Sequence, residues 1–333
     1  MNMKEWLEQR KADTARKALP ILSFPCVDLI DVTVNQLVAD SDAQAAGMAA
    51  VAQRCDTAAA VSMMDLSVEA ECFGAQIVFE DNEVPTVVGA LVNTPEEAEA
   101  LSVPAVGAAR SGVYVEAIRK ACERITDRPV LAGVIGPYSL AGRLMDVSQT
   151  MINCFIEPQM VHTVLDKVSS FLIEYIRAFK EAGANGVVMA EPAAGLLTPE
   201  LCQEFSSDYV RRIIEAVQDD DFIVVYHNCG GAIDRLVPEI LSTGAAAYHF
   251  GNAVPMLSML EQMPQDILVM GNVDPVGTLR NGTPDSVRED TLAVMNICTT
   301  YPNFLVSSGC DIPPGTPWEN LDAFFAAVAE FYA

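Results

Sequence analysis

GVVMAEP (186–192), FIVVYHNCGG (222–231) and AAAYHFGN (245–252) decide the fold. Each is a short run of small or β-branched residues that breaks into polar residues or glycine, and each leads into a helical stretch. Runs that are apolar on both sides suit strands of a parallel sheet covered on both faces. After the first run, Thr198-Pro199-Glu200 is a helix start, with an N-cap threonine and proline at the first helical position, and the helix extends to about Gln218. Helices at 232–241 and 255–262 follow the other two runs.

The pattern continues outward in both directions. PVLAGVI (129–135) precedes a long helix at 157–182. DILVMGNVDP (266–275) precedes a helix at 285–299, and NFLVSSGCD (303–311) precedes one at 318–332. Upstream lie ALPILSFPCV (18–27), with a helix at 32–53, and TAAAVSMMD (57–65). Strands centred near 20, 59, 131, 188, 224, 247, 269 and 305 make eight strand–helix units. An open doubly wound sheet shows the same alternation, but eight evenly spaced units favour closure. The predicted fold class is therefore α/β, a (β/α)8 TIM barrel. AQIVFEDNEVPTVVGALV (75–92) reads as a β-hairpin inserted after the second strand. Residues 1–333 are read as a single barrel domain, with an N-terminal helix in 1–17 and an insertion plus connecting helices in 75–128.

Composition narrows the function. The chain is 51% hydrophobic and carries 45 acidic against 20 basic residues, a net charge of −25. Such a surface repels phosphate backbones and anionic lipid, so neither nucleic acid nor a membrane is expected as a partner. No signal peptide is visible in MNMKEWLEQRKADTARK, and no apolar run is long enough to span a bilayer. The nine cysteines have no paired spacing that suggests disulfides, so a reducing cytoplasm is the expected location. No GxGxxG or P-loop supports a nucleotide cofactor.

Functional side chains of such a barrel sit where strands end. Asp65, Glu191, His227 with Cys229, His249 with Asn252, Asn272 with Asp274, and Cys310 with Asp311 all fall there. His227 and Cys229 are two apart on a strand-like stretch and so point the same way. Cys310 ends the last strand, also beside a glycine. One imidazole and two thiolates match the borderline-soft preference of zinc, and three ligands leave a fourth position for substrate. The alternative is that the two cysteines are buried small hydrophobes and His227 a satisfied core histidine. Zinc lowers the pKa of a bound thiol, which points to alkyl transfer onto sulfur. Asp65 and Glu191 are candidate catalytic acids, and Asn252, His249, Asn272, Asp274 and Tyr138 candidate substrate contacts. Each has a structural alternative: Asp65, Glu69 and Glu71 suit a helix start, Asp274 a turn cap, and Gly136-Pro137-Tyr138-Ser139 a plain strand-to-helix turn. His162 lies within the long helix and is read as surface or packing.

Several stretches resemble the uroporphyrinogen decarboxylase superfamily, and within it the methylcobamide:thiol methyltransferases that serve coenzyme M. They are MMDLSVEAECFGA (63–75), GPYSLAGRLM (136–145), AGANGVVMAEP (182–192), HNCG (227–230), GNVDP (271–275) and SSGCDIPPGTPWENLDAF (307–324). The resemblance implies a (β/α)8 barrel, zinc on His227, Cys229 and Cys310, and a small corrinoid protein that presents a methylcobamide to a small thiol. Some members carry an acidic residue just after the sixth strand, where this chain reads His249-Phe250-Gly251-Asn252; that departure leaves the thiol and the fourth ligand open. The decarboxylase branch uses no metal, and its polyanionic substrate needs an N-terminal cluster of arginines. ILSFPCVDLI has none. A metal-free decarboxylase and a non-catalytic corrinoid- or metal-binding barrel remain the alternative readings.

Overall fold

The computed structural model describes residues 1–333. Nine strands form in chain order: β1 (Ala60–Val61), β2 (Gln76–Val78), β3 (Thr86–Val88), β4 (Val130–Ile135), β5 (Gly186–Ala190), β6 (Ile223–Asn228), β7 (Ala247–Phe250), β8 (Leu268–Val273) and β9 (Phe304–Ser308). Seven of them pair in the order β1-β4-β5-β6-β7-β8-β9, all parallel. Every residue of β4 to β9 is buried, as strands covered on both faces require.

The first predicted strand is corrected. Residues 18–22 are extended but form no regular strand. They still bridge the two sheet edges: Leu19 N–H donates to Val306 O at 3.0 Å, and Ala58 N–H donates to Ala18 O at 2.8 Å. Pro20 has no N–H to continue the ladder, and the next amide, on Ile21, is taken by the Ser308 hydroxyl at 3.1 Å. The eighth position of the barrel is thus filled by a tethered segment that closes a curled seven-stranded sheet.

Side chains alternate across that sheet. Val61, Leu131, Val188, Ile223, Val225, Ala247, Met270 and Leu305 belong to an inner cluster of 17 buried residues. Their neighbours, such as Val187, Val224, Tyr226 and Val306, join an 82-residue outer core under the helices. The N-terminal helix is shorter than predicted, Met3–Ala12. Its Met3 and Trp6 enter the inner cluster, and the amide of Met3 donates to Asp220 O at 2.8 Å, so this helix closes the barrel at the end opposite the strand C-termini.

Helices lie near their expected places, with three internal breaks, one of which splits the helix read at 232–241 into a short turn Ile233–Arg235 and a helix Val237–Leu241. The helix read at 32–53 divides into Val34–Ala39 and Ser41–Arg54, because extended Asp40 ends the first and its carboxylate caps the second through Asp42 N–H. The stretch from Pro199 to Val217 carries a wide turn at Gln203–Ser207. The helices Pro158–Glu181, Pro284–Cys298 and Trp318–Phe331 are continuous. β2 and β3 pair only with each other, antiparallel, as the hairpin after β1. No helix is long and apolar enough to cross a membrane.

Candidate metal centre

Ile223 and Val225 face the barrel interior, and the alternation carries His227 inward two residues later. The intervening Asn228 faces the other way and shapes the turn. Its amide nitrogen donates to Glu191 O at 2.7 Å, and its side-chain oxygen accepts from Gly230 N–H at 2.9 Å. That turn swings Cys229 back toward the barrel axis. Across the mouth, β9 ends at Ser308, and Cys310 follows after Gly309.

The Nε2 of His227 lies 3.4 Å from Cys310 Sγ, and the potential ligand atoms of His227, Cys229 and Cys310 all lie within 4.8 Å of one another. His227 is buried and both cysteines are half-buried. Without a metal the two thiols pull apart: accepting a hydrogen bond from Cys310 holds Cys229 below an ordinary thiol. Donating that bond, together with burial, pushes Cys310 well above an ordinary thiol. Three soft or borderline donors converge. This donor set fits a zinc ion with room for a further ligand.

Glycine makes the convergence possible. A Cβ added to Gly251 would lie 2.5 Å from Cys229 Cα and Cβ and 3.1 Å from Gly309 O. A Cβ on Gly309 would lie 2.5 Å from Asn252 Oδ1. The loops after β6, β7 and β9 therefore touch backbone to backbone, and exposed Asn252 stands at the rim beside Gly309.

His249 sits on β7 in register with His227 on β6. Expected as a substrate contact, it is 1% exposed and hydrogen-bonded through both ring nitrogens. Nδ1 faces Nδ1 of His227 at 2.8 Å, and Nε2 faces Ser307 Oγ at 2.8 Å. The Ser307 hydroxyl lies 2.7 Å from Leu19 O. Burial and the neighbouring His227 hold the His249 pKa well below that of a free histidine.

The other expected contacts are drawn into the framework. Glu191 is fully buried, accepting from Tyr138 N–H (3.2 Å), Ser139 N–H (2.6 Å) and the Ser139 hydroxyl (2.7 Å). It caps the helix Pro137–Met145 across strands, and burial outweighs these bonds to raise its pKa to about 7. Tyr138 is fully buried, with Cys154 Sγ 3.9 Å from its hydroxyl, and does not reach the mouth. Asp65 does not face the pocket freely either. It accepts from Arg110 Nη1 at 2.5 Å, Tyr114 OH at 2.8 Å and Ser67 OH at 2.6 Å. Asn272 uses its amide nitrogen to hold the loop after β7, through Gly251 O (3.0 Å) and Val254 O (2.8 Å). Asp274 caps the helical turn Pro275–Arg280 through Val276 and Gly277 N–H. Asp311 accepts from Met64 N–H at 3.2 Å and anchors the Cys310 loop to the end of β1; burial pushes its pKa to about 8. His162 packs on Phe205, ring centroids 4.6 Å apart, and bonds to Tyr209.

Sequence reasoning missed Arg110 and Ser307. Arg110 comes from the irregular stretch before a helix, and no local spacing ties it to Asp65. Ser307 was visible in SSGCD, two residues before Gly309, on the same strand face that would look into the barrel.

A sequence profile described as "Uroporphyrinogen decarboxylase (URO-D)" matches residues 16–331. The chain is 28% identical over 335 residues to "Methylcobamide:CoM methyltransferase MtbA" of Methanosarcina acetivorans, covering 96% of each protein. It is 26% identical over 300 residues to a "Methylated-thiol--coenzyme M methyltransferase" of Methanosarcina mazei, covering 87% of this chain and 77% of that one. Among solved structures, a "methyltransferase from Methanosarcina mazei" matches with a TM-score of 0.87 at 23% identity, over 100% of this chain and 99% of the other. That last likeness establishes the barrel fold.

Proposed function

The chain belongs to the uroporphyrinogen decarboxylase family, and on that premise we propose that it is a zinc-dependent methyltransferase. It takes a methyl group from a methylcobamide carried by a small corrinoid protein and gives it to a small thiol such as coenzyme M. The observation that carries the reading is the meeting of His227 Nε2 with the sulfurs of Cys229 and Cys310 at the C-terminal end of the barrel. The methyltransferase names of relatives that align along most of the chain support it.

A zinc ion held by these three donors would make a fourth, thiol ligand ionise at neutral pH. The protein's own groups do the rest. His227 and the two sulfurs fix where the substrate sulfur sits. The packed inner cluster beneath them closes the barrel against water from below. Asn252, exposed at the rim, would orient the thiol's polar tail. The substrate thiolate then attacks the methyl carbon. The sulfur–carbon bond forms as the carbon–cobalt bond breaks, and its electron pair leaves with cobalt, which falls from Co(III) to Co(I). No side chain has to remove a proton during the transfer, which agrees with Glu191 and Asp65 being engaged in structural bonds.

The decarboxylase alternative meets an obstacle at Arg110. That guanidinium is already paired with Asp65 and with Glu71, the latter at 2.6 Å, so it is not free for a polycarboxylate. Nine free cysteines suit a reducing compartment such as the cytoplasm.

The test is a screen of small thiols against methylcobalamin with zinc-loaded protein, following the absorbance change as methyl-cobalt is consumed. Thiol-dependent consumption that is lost in Cys310→Ala supports the proposal. Consumption indifferent to that substitution would refute it.

A further inference from the structure

We infer that His249 and Ser307 fix the tautomer of His227, so that its Nε2 presents a lone pair to the metal while its Nδ1 carries the proton. The inference deepens the proposed function and rests on it for the metal, but for neutral imidazoles the proton arrangement follows from hydrogen-bond donors and acceptors, including the His249 carbonyl 3.3 Å from His227 Nδ1.

The chain starts at the Leu19 carbonyl, which can only accept. Ser307 Oγ lies 2.7 Å from it, so the hydroxyl proton points there. The same oxygen lies 2.8 Å from His249 Nε2. With its only proton spent on Leu19, Ser307 accepts here, and His249 Nε2 carries hydrogen. A neutral imidazole has one N–H, so His249 Nδ1 is a lone pair. It faces His227 Nδ1 at 2.8 Å, and that nitrogen must therefore donate. His227 Nε2 is left unprotonated, at 3.4 Å from Cys310 Sγ and among the donors of the metal centre.

Leu19 belongs to the segment that fills the barrel's eighth position. The residue that closes the barrel through its amide is thus also, through its carbonyl, the origin of the proton order at the metal centre. A metal-binding histidine gains basicity and a fixed ring when its other nitrogen donates to an oriented acceptor. Here two acceptors of one residue face that nitrogen: the His249 imidazole at 2.8 Å and the His249 carbonyl oxygen at 3.3 Å. His249 and Ser307 are positioning residues: neither is among the three converging ligands.

The experiment uses the full chain labelled with ¹⁵N at histidine, first without metal. Long-range ¹H–¹⁵N spectra of the wild type should show His227 protonated at Nδ1 and bare at Nε2. His249→Phe removes the nearer acceptor and leaves only the backbone carbonyl at 3.3 Å. Its zinc affinity, measured by competition with a chelator, should fall about 10- to 100-fold, and His227 should become a mixture of tautomers. His249→Gln offers an amide oxygen to His227 and an N–H to Ser307, and should recover most of the affinity. Ser307→Ala should give an intermediate loss and release the tautomer of His249. Should His249→Phe not fold, the Gln and Ala variants decide the matter by the same two readouts.

A wild-type His227 protonated at Nε2 overturns the inference, as does a His249→Phe protein with unchanged tautomer and unchanged affinity. A wild type that shows the Nδ1–H tautomer but takes up no zinc upholds the relay and defeats the metal reading.

Discussion

Gly251 lies so close to Cys229 that a single added methyl group would stand 2.5 Å from both Cα and Cβ of the cysteine. Neither neighbour can yield without moving backbone, because the same methyl would meet Gly309 O at 3.1 Å. Gly251→Ala should displace the Cys229 loop. We expect a loss of about 1–3 kcal/mol in stability, in the usual range for overpacking, and at least a tenfold drop in zinc affinity. Denaturant unfolding and chelator competition read the two effects separately.

Glu69 gives a pH dependence unrelated to the metal centre. One carboxylate oxygen accepts from Ile135 N–H at 3.0 Å, while the other is buried without a partner. Burial raises its pKa from 4.5 to about 7. A carboxyl whose folded pKa lies above its unfolded one adds stability that is complete below the unfolded value. That stability is lost as pH rises through the folded value. Glu69→Gln keeps the bond to Ile135 and removes the titration. Its stability relative to wild type should therefore improve between pH 5 and pH 8, which urea midpoints at the two pH values would show. A constant difference would show that Glu69 titrates alike in both states.

Arg110 makes a buried ion pair with Asp65, the two side chains 10% and 0% exposed, and stacks under Phe79 of the hairpin arm at 4.8 Å. Arg110→Met would leave Asp65 buried and unpaired, at a cost of about 3–5 kcal/mol. Asp65→Asn, which retains the Tyr114 and Ser67 contacts in neutral form, should cost less. Urea unfolding of both variants checks the order, and the reverse order would contradict the view that charge compensation holds this cluster.

Asn252 stands outside the converging donors and at the rim. Asn252→Ala should leave zinc content unchanged and raise KM for the thiol several-fold. Metal loss in this variant would mean that Asn252 belongs to the ligand set.

The alternation of strands and helices was legible in the sequence because parallel strands buried on both faces read as unbroken apolar runs. The pairing of His227 with Cys229 was legible for a related reason, a two-residue spacing on one strand face. What escaped depended on contacts between distant segments. ALPILSFPCV is apolar enough for a strand, yet Pro20 prevents a regular ladder, and only the folded edges show that residues 18–22 still close the barrel. Glu191 has the position of a catalytic acid at a strand end. Its partners are the first amides of a helix more than fifty residues earlier, a relation no local spacing encodes. His249 was noticed as a polar residue at a strand end, but its role follows from the β6–β7 register, which sets it beside His227.

X-ray absorption at the zinc edge of the purified protein tests the central claim most directly. The account predicts one zinc per chain, with two sulfur neighbours at about 2.3 Å and an imidazole nitrogen at about 2.0–2.1 Å, and with one sulfur lost in Cys310→Ala. A zinc surrounded by oxygen and nitrogen alone, or a sulfur count unaffected by that substitution, would contradict it.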